Sequence, residues 1–210
     1  MNAIMKDDHL RIVKKIKRRA LKIHLVGVLL LVVVVFGYWF QGWENAIVKE
    51  SYKLFKQQHD SLIAKQQLYS ILRSKSLTVG QALDLGEVIL GQNQVPISIA
   101  LAMISIESNF NPDAVSNKGA KGLTQVMPIL RKAYANHPSF GKEINQVYDV
   151  SVNAKLGLTY LGDLHKQYKN WKPALRAYNA GPENAHNKNY DRYSNLVLEE
   201  AKKFKIETLD

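Results

Sequence analysis

The chain has 210 residues, of which 46% are hydrophobic and 22% are charged, and this composition excludes a wholly disordered chain. It contains no cysteine, which excludes disulfides, thiolate metal sites and a cysteine nucleophile. The formal net charge is +11, but residues 76–210 carry fifteen basic and thirteen acidic side chains. The basic excess therefore lies upstream of the predicted domain, and we expect no nucleic-acid partner.

The N-terminal residues have the pattern of a membrane anchor. Residues 1–22 hold eight Lys or Arg against two Asp, and residues 23–43 hold no charged side chain. About twenty apolar residues span a bilayer core, and no small-residue cleavage site follows. The pattern predicts a basic cytoplasmic leader and an uncleaved single-pass anchor in the inner membrane, with residues 44–210 on the periplasmic side. The alternatives are a cleaved signal peptide and a buried core strand.

The rest of the chain predicts helices. Residues 44–75 lack Pro and Gly and repeat apolar side chains at roughly helical spacing, which is typical of an amphipathic helix or helical stalk. Such a helix could be a spacer from the membrane, a dimerising seam or a helix packed on the domain. Capping and stop signals predict a mainly α domain over residues 76–210. Its expected helices run from Thr78 to about Leu90, from Pro96 to about Ser108, from Pro128 onward, and over about 151–168, 171–180 and 193–204.

One acidic side chain ends a long apolar run. Residues 95–106 are uncharged and mostly apolar, and Glu107 follows them. A carboxylate at the carbonyl end of a buried helix is disfavoured by the helix dipole and by desolvation, so we expect its pKa to be raised. A raised pKa suits a general acid in glycosidic cleavage. The alternative is a solvated carboxylate at a helix end.

Four pieces of sequence stand in a distinctive order. They are Glu107-Ser108, then Gly122-Leu123-Thr124-Gln125, then the stretch 153–161 with Asn153, Gly157 and Tyr160, then Ala177-Tyr178-Asn179. Together they resemble the soluble-lytic-transglycosylase-type (family 1-like) domain of the lysozyme superfamily, whose signature is Glu-Ser, Gly-Leu-Met-Gln and Ala-Tyr-Asn. Thr124 replaces the Met of that signature. The resemblance covers about residues 80–200 and implies a lysozyme-like, goose-type helical fold.

The resemblance implies a mechanism with a single acid. In this family one Glu protonates the leaving oxygen of the MurNAc–GlcNAc β-1,4 bond. The same Glu then acts as a base on the sugar's own 6-hydroxyl, which gives 1,6-anhydro-MurNAc ends. Glu107 takes that role here. The candidates for a second carboxylate lie outside the motifs, and they are Asp113, Glu143, Asp149, Asp163 and Glu183.

The resemblance also implies supporting residues. Ser108 would orient the acid, Gly122 would let the backbone approach a sugar, and Gln125 would offer its amide to hydroxyl or acetamido groups. Tyr178 and Asn179 would line the cleft. Tyr160 would do the same, although an aromatic residue at helical spacing is as often part of a core. For Phe110 and Met127 we expect core positions rather than cleft walls.

The sequence predicts no cofactor and no metal, because the six histidines have no ligand spacing. The expected partners are peptidoglycan glycan strands and the inner membrane, and the anchor and stalk leave room for an envelope-spanning assembly. Two other functions stay open. One is a lysozyme-type hydrolase on the same fold. The other is a peptidoglycan-binding scaffold in a secretion, conjugation or phage-entry apparatus, against which the intact Glu107 argues.

Overall fold

A computed structural model describes residues 2–37, 44–204 and 206. These residues form a mainly helical fold, as predicted, and the only pairing outside helices in this part of the chain is two isolated β-bridges, Val115 to Lys121 and Lys121 to Val126. The α-helices of the described residues are α1 (Asn2–Gly37), α2 (Glu44–Arg73), α3 (Val79–Gly91), α4 (Ile97–Ser108), α5 (Pro128–Ala133), α6 (Val150–Tyr168), α7 (Trp171–Ala180) and α8 (Asp191–Ala201).

The chain divides into two units, one ending at Ser61 and the other beginning at Leu62. The first unit contains α1, on which apolar side chains such as Leu25, Leu29 and Leu31 are exposed. Within the described residues, no helix is both long enough and apolar enough to cross a membrane. The predicted anchor, 23–43, includes residues 38–43, which lie outside the described residues. The anchor therefore stays a prediction.

The second unit begins before the predicted domain boundary at residue 76. The C-terminal part of α2 belongs to it, because Ala64, Leu68 and Leu72 are buried in its core. These side chains recur at intervals of four, so they lie along one face of the helix. The predicted helix over 44–75 is thus present as α2, and its last turns are part of the packed domain.

Local sequence signals explain where the helices of this unit begin. Thr78 caps α3, as the sequence predicts, and the structure shows that it forms a reciprocal capping box with Gln81. The Asp149 side chain caps α6 by accepting the Val152 N–H at 2.9 Å, and the Asn170 side chain caps α7 in the same way. Pro96 lies just before the first turn of α4, where its missing N–H costs no hydrogen bond.

Helix α4 runs through the centre of the second unit. Its residues 99–104 are six consecutive buried residues, at most 6% exposed, so the helix is enclosed on every side as the apolar run predicts. Helix α8 packs against α4 and α7, and α6 packs against α3 and α7. This arrangement brings the C-terminal end of α4 next to side chains from α7 and α8, which follow it by more than sixty residues.

Candidate functional site

The C-terminal end of α4 is fixed by an unusual backbone. Asn109 and Phe110 both have left-handed conformations, with φ of 50° and 61°, which non-glycine residues adopt only when their surroundings hold them there. The Phe110 ring is fully buried, and the Lys75 ammonium lies 5.1 Å from its centre. Burial of this ring holds the turn that stops α4 just after Glu107 and Ser108.

Glu107 lies in the last turn of α4 and is half-buried. Burial raises the pKa of its carboxyl from 4.5 to about 7, because the charged form loses its solvation. A hydrogen bond from Tyr193 acts in the opposite direction and lowers this pKa. The direction of the net shift is the one predicted from the apolar run, and it leaves a substantial fraction of Glu107 protonated near neutral pH.

Tyr193, on α8, is the direct partner of Glu107. Its hydroxyl donates to Glu107 Oε1 at 2.5 Å. Burial raises the pKa of Tyr193 well above 10, and the nearby Glu107 charge raises it further, so the phenol remains a donor. Sequence reasoning missed this residue because it belongs to none of the four pieces. The only local signal is that Tyr193 and Val197 share one face of α8.

A second tyrosine reaches the same region from α7. Burial raises the pKa of Tyr178 well above 10, and the charge of Glu107 raises it further. The Tyr178 hydroxyl donates to the Thr124 carbonyl at 2.7 Å. Tyr178 therefore connects the predicted Gly-Leu-Thr-Gln loop to the surroundings of Glu107.

The loop itself is held by Asn153 of α6. The Thr124 N–H donates to Asn153 Oδ1 at 2.9 Å, and Thr124 Oγ1 lies 2.8 Å from the same oxygen. The Asn153 amide donates to the carbonyls of Lys121 and Val147. Thr124 is fully buried, so the hydroxyl at the position of the family's Met is part of this network.

Gly122 and Gln125 shape this loop. Gly122 has a φ of +75°, and a Cβ there would lie 2.2 Å from Asn153 Nδ2, so the residue must be glycine for reasons of packing. Gln125 Nε2 donates to the carbonyls of Gly122 and Ala114. Both amide hydrogens are thus used inside the loop, which leaves Oε1 as the amide atom able to contact a ligand. The sugar contacts expected of Gly122 and Gln125 stay predictions.

A row of three tyrosine rings leads away from this region. Tyr160, on α6, lies 5.5 Å from Tyr178 and 6.0 Å from Tyr134, measured between ring centres. Burial raises the pKa of Tyr160, and the charge of Glu183 contributes to the shift. Tyr160 is only half-buried, so part of its ring is accessible, and its expected place in a substrate cleft stays a prediction.

The remaining residues considered in the sequence are Ser108, Asn179, Phe110 and Met127. The Ser108 hydroxyl donates to the Ile104 carbonyl of its own helix at 3.2 Å, and Asn179 is exposed near the end of α7. Among the described residues, neither side chain has a hydrogen bond to Glu107, and their roles stay predictions. Phe110 is in the core as predicted. Met127 is 37% exposed, so its predicted core position is wrong, because it precedes α5 at the surface.

Residues 87–197 match the family model described as Transglycosylase SLT domain. The chain belongs to this family. The matched range contains every predicted site residue and also Tyr193, so the SLT domain includes the entire hydrogen-bonded surrounding of Glu107 described above.

The SLT domain is similar to parts of longer proteins. It is 34% identical over 97 residues to the soluble lytic murein transglycosylase of Escherichia coli K12, a match that covers 42% of this chain and 14% of that protein. It is 35% identical over 91 residues to a putative tributyltin chloride resistance protein of an Alteromonas species, covering 43% of this chain and 42% of that one. The chain therefore spans less than half the length of these relatives.

A solved structure shows the same fold. The crystal structure of the 70 kDa soluble lytic transglycosylase from Escherichia coli matches 58% of this chain and 23% of its own chain, with a TM-score of 0.50 and 24% identity. At 24% identity, this match supports the helical fold of the SLT domain only.

The shift in the pKa of Glu107 has no contribution from another carboxylate of the described residues. The pKa of Glu107 responds to burial and to Tyr193, with no carboxylate among the causes. Two of the predicted candidates for a second carboxylate have other partners, since Asp149 caps α6 and Asp163 accepts the Tyr134 hydroxyl. Within the described residues, no group of three His, Asp or Glu could hold a metal ion.

Proposed function

We propose that the chain is a peptidoglycan lytic transglycosylase in which Glu107 is the only acid–base residue. The observation that carries the proposal is the half-buried Glu107, with a pKa raised to about 7 and a hydrogen bond from Tyr193. The SLT family match and the similarity to a soluble lytic murein transglycosylase support the substrate class.

The proposed reaction has two proton transfers at one carboxyl group. Protonated Glu107 gives its proton to the oxygen that links MurNAc to GlcNAc, and the bond from that oxygen to the MurNAc C1 breaks. The Glu107 carboxylate then takes the proton of the 6-hydroxyl, whose oxygen bonds to C1 and closes the 1,6-anhydro ring. The attacking oxygen belongs to the same sugar, so it already lies near C1, and no bound water is required.

Tyr193 has a defined part in this cycle. Its hydroxyl donates to the Glu107 oxygen, which favours the carboxylate that forms when the glycosidic oxygen is protonated. Burial works in the opposite direction and keeps the acid protonated before the reaction. The balance of the two effects places the pKa near neutral pH, where a group can serve first as an acid and then as a base.

The proposed location is the periplasmic face of the inner membrane. Support for it comes from the sequence, in which eight basic residues in 1–22 precede an uncharged stretch at 23–43. An alkaline phosphatase reporter fused after Asp210 should be active in cells, and the mature protein should keep its N-terminal segment. A silent reporter, or a protein that begins after Trp43 and is free of the membrane, would contradict this location.

The activity is tested on purified cell-wall sacculi. The full chain should release fragments with 1,6-anhydro-MurNAc ends, which are lighter than hydrolysed ends by one water and are not reduced by borohydride. Glu107→Gln keeps the shape of the side chain and should abolish the release, whereas Asp113→Asn should leave most of it. A majority of reducible ends would replace this proposal with the lysozyme-type hydrolase. An equally severe loss in Asp113→Asn would point to two carboxylates.

A further inference from the structure

Arg176 is a charged side chain inside the packed domain. It lies on α7 among the buried residues Ala174, Leu175 and Ala177 and is only 7% exposed. An arginine in such a place needs partners, because a buried guanidinium that is left unpaired has lost its hydration without compensation. Arg176 has no part in the reaction proposed above, so its partners indicate what it does.

Arg176 holds both ends of an exposed segment. Its Nε donates to Asp191 Oδ1 at 2.5 Å, and its Nη1 donates to the Ala185 carbonyl at 3.0 Å. Ala185 is buried, whereas residues 186–190, which lead from it to Asp191, are all exposed. The planar guanidinium has donors on several nitrogens, so one side chain can make both bonds. The exposed part of the connection between α7 and α8 is therefore tied to the domain at each end by Arg176.

Asp191 is the first residue of α8, and it is held by further contacts. The Lys172 ammonium lies 3.3 Å from Asp191 Oδ2, and the buried Ser194 hydroxyl donates to the Asp191 carbonyl at 3.0 Å. A carboxylate at this end of a helix is also favoured by the helix dipole. Tyr193 lies between Asp191 and Ser194 in the same turn, so these contacts set the position of its backbone.

The bond from Tyr193 to Glu107 depends on the position of this turn. The phenol reaches from α8 to α4 and donates to the carboxyl oxygen at 2.5 Å. Hydrogen bonds between oxygens are made over a narrow range of distances, and a displacement of about 1 Å is enough to break one of this length. A group that holds the first turn of α8 therefore also controls this bond.

We propose that Arg176 and Asp191 are positioning residues for the acid: their ion pair holds the first turn of α8 where the Tyr193 hydroxyl meets Glu107. The inference rests on the proposed function, in which Glu107 is the acid–base residue. The pair acts through Tyr193 and needs no contact with the substrate.

The pair keeps its charges while Glu107 titrates. Arginine stays protonated in proteins. Partial desolvation raises the pKa of Asp191, but hydrogen bonds from Arg176 and Lys172 of α7 lower it on balance. On the other side of the turn, Tyr193 faces Glu107 of α4. Burial and the Glu107 charge both raise the pKa of Tyr178 of α7, so this phenol also stays neutral.

The test measures the titration of Glu107 by NMR. The full chain is labelled with ¹³C at the side-chain carboxyl carbons of glutamate, and the Glu107 signal is the one that Glu107→Gln removes. Tyr193→Phe should raise the Glu107 pKa by about one unit, the effect of one charge-assisted hydrogen bond. Asp191→Ala should raise it by a similar amount, because the phenol is no longer held in place. The sign is informative, because loss of a negative charge would by itself lower the pKa of a neighbouring carboxyl.

Two further variants separate positioning from other effects. Asp191→Asn removes the charge but keeps an acceptor oxygen for Arg176 Nε, so it should restore a pKa close to that of the wild type. Glu199→Gln removes an exposed ion pair at the other end of α8 and should leave the Glu107 pKa unchanged.

A double variant shows whether Asp191 acts through the phenol. In Asp191→Ala/Tyr193→Phe, the Glu107 pKa should equal that of Tyr193→Phe alone, because the bond that Asp191 protects is already absent. Where Asp191→Ala does not fold, Arg176→Met/Asp191→Asn carries the test, since a buried ion pair is often replaced by uncharged side chains of similar size without loss of folding. This variant should raise the pKa as Asp191→Ala does.

An unchanged or lowered Glu107 pKa in Asp191→Ala, or in Arg176→Met/Asp191→Asn, would overturn the inference. A further rise when Asp191→Ala is added to Tyr193→Phe would also overturn it, because Asp191 would then act by another route. The NMR titration needs no substrate. A chain that releases no anhydro ends from sacculi would therefore contradict the proposed function and leave this measurement valid.

Discussion

Tyr193 donates a 2.5 Å hydrogen bond to Glu107 across a sequence separation of 86 residues. The two residues belong to α8 and α4, so the electrostatics of the acid depend on how these helices pack. Burial and this hydrogen bond act on the Glu107 pKa in opposite directions. Removing either one should change the pH at which the enzyme works.

Tyr193→Phe should shift the pH dependence of activity upward. The hydroxyl lowers the pKa of Glu107, so its loss raises that pKa above about 7 and keeps the acid protonated at higher pH. The alkaline limb of kcat/KM on sacculi should move up by about one pH unit, the shift that corresponds to one charge-assisted hydrogen bond. Tyr190→Phe, at an exposed neighbouring tyrosine, is the control and should leave the limb in place. An unmoved limb in Tyr193→Phe would show that another group sets it.

Glu107 should make the protein less stable as the pH rises. Its pKa is 4.5 without burial and about 7 in the folded state, so the folded chain binds the extra proton between these values. The free energy of unfolding should therefore fall from pH 4.5 to pH 7, by at most about 3 kcal/mol. Glu107→Gln lacks the proton and should be more stable than the wild type at pH 8, with the difference vanishing below pH 4.5. Urea denaturation of both proteins at pH 8 and below pH 4.5 measures this difference in unfolding free energy. The same difference at both pH values would contradict the prediction.

Gly157 should be intolerant of alanine. A Cβ at this position of α6 would lie 2.4 Å from Thr124 Oγ1, inside the buried network with Asn153. Gly157→Ala should lower the free energy of unfolding by about 1–3 kcal/mol, the cost of overpacking a core. Gly91→Ala is the matched control, because nothing lies within 4 Å of its Cβ position at the end of α3. Thermal unfolding of the two variants compares them directly. Equal melting temperatures would show that the loop around Thr124 moves to accommodate the Cβ without a loss of stability.

Helix α2 should contribute to the stability of the SLT domain. Leu72 is fully buried, whereas Leu62 on the same helix is 38% exposed. Leu72→Ala should cost about 2–5 kcal/mol of unfolding free energy, and Leu62→Ala should cost much less. Chemical denaturation of the full chain measures both. Equal, small effects would mean that α2 is only a spacer, which is one of the roles that its sequence leaves open.

The sequence was sufficient for those parts of the fold that depend on local chemistry. Thr78, Pro128 and Asn170 lie where α3, α5 and α7 begin, because capping and proline geometry act within one turn. The enclosed α4 and the raised pKa of Glu107 also follow from a local pattern, since an apolar run of that length is buried on all sides.

The rest of the site depends on packing between distant segments. Nothing near Tyr193 in the sequence indicates that its hydroxyl meets Glu107, because only the contact of α8 with α4 creates the pair. In the sequence, Thr124 is only a departure from the family signature. Its hydrogen-bond partner, Asn153, lies 29 residues later and is identified only by the fold. The burial of Leu68 and Leu72 decides between roles that the sequence left open for α2, because an amphipathic helix has the same pattern as a spacer, a dimerising seam or an element packed on the domain.

The buried Arg176 of α7 donates to Asp191 at the start of α8 at 2.5 Å, and it also donates to the Ala185 carbonyl. These two bonds fix the connection between α7 and α8, and they therefore help to position Tyr193. They also join the elements of the domain that are synthesised last. A nascent chain that ends at Ala180 already contains Glu107 and the three motif pieces upstream of α7, yet it lacks Asp191 and the phenol that tunes the acid. In a growing chain, the pKa of Glu107 can therefore take its tuned value only after Asp191 and Tyr193 have been added, when most of the domain has been synthesised.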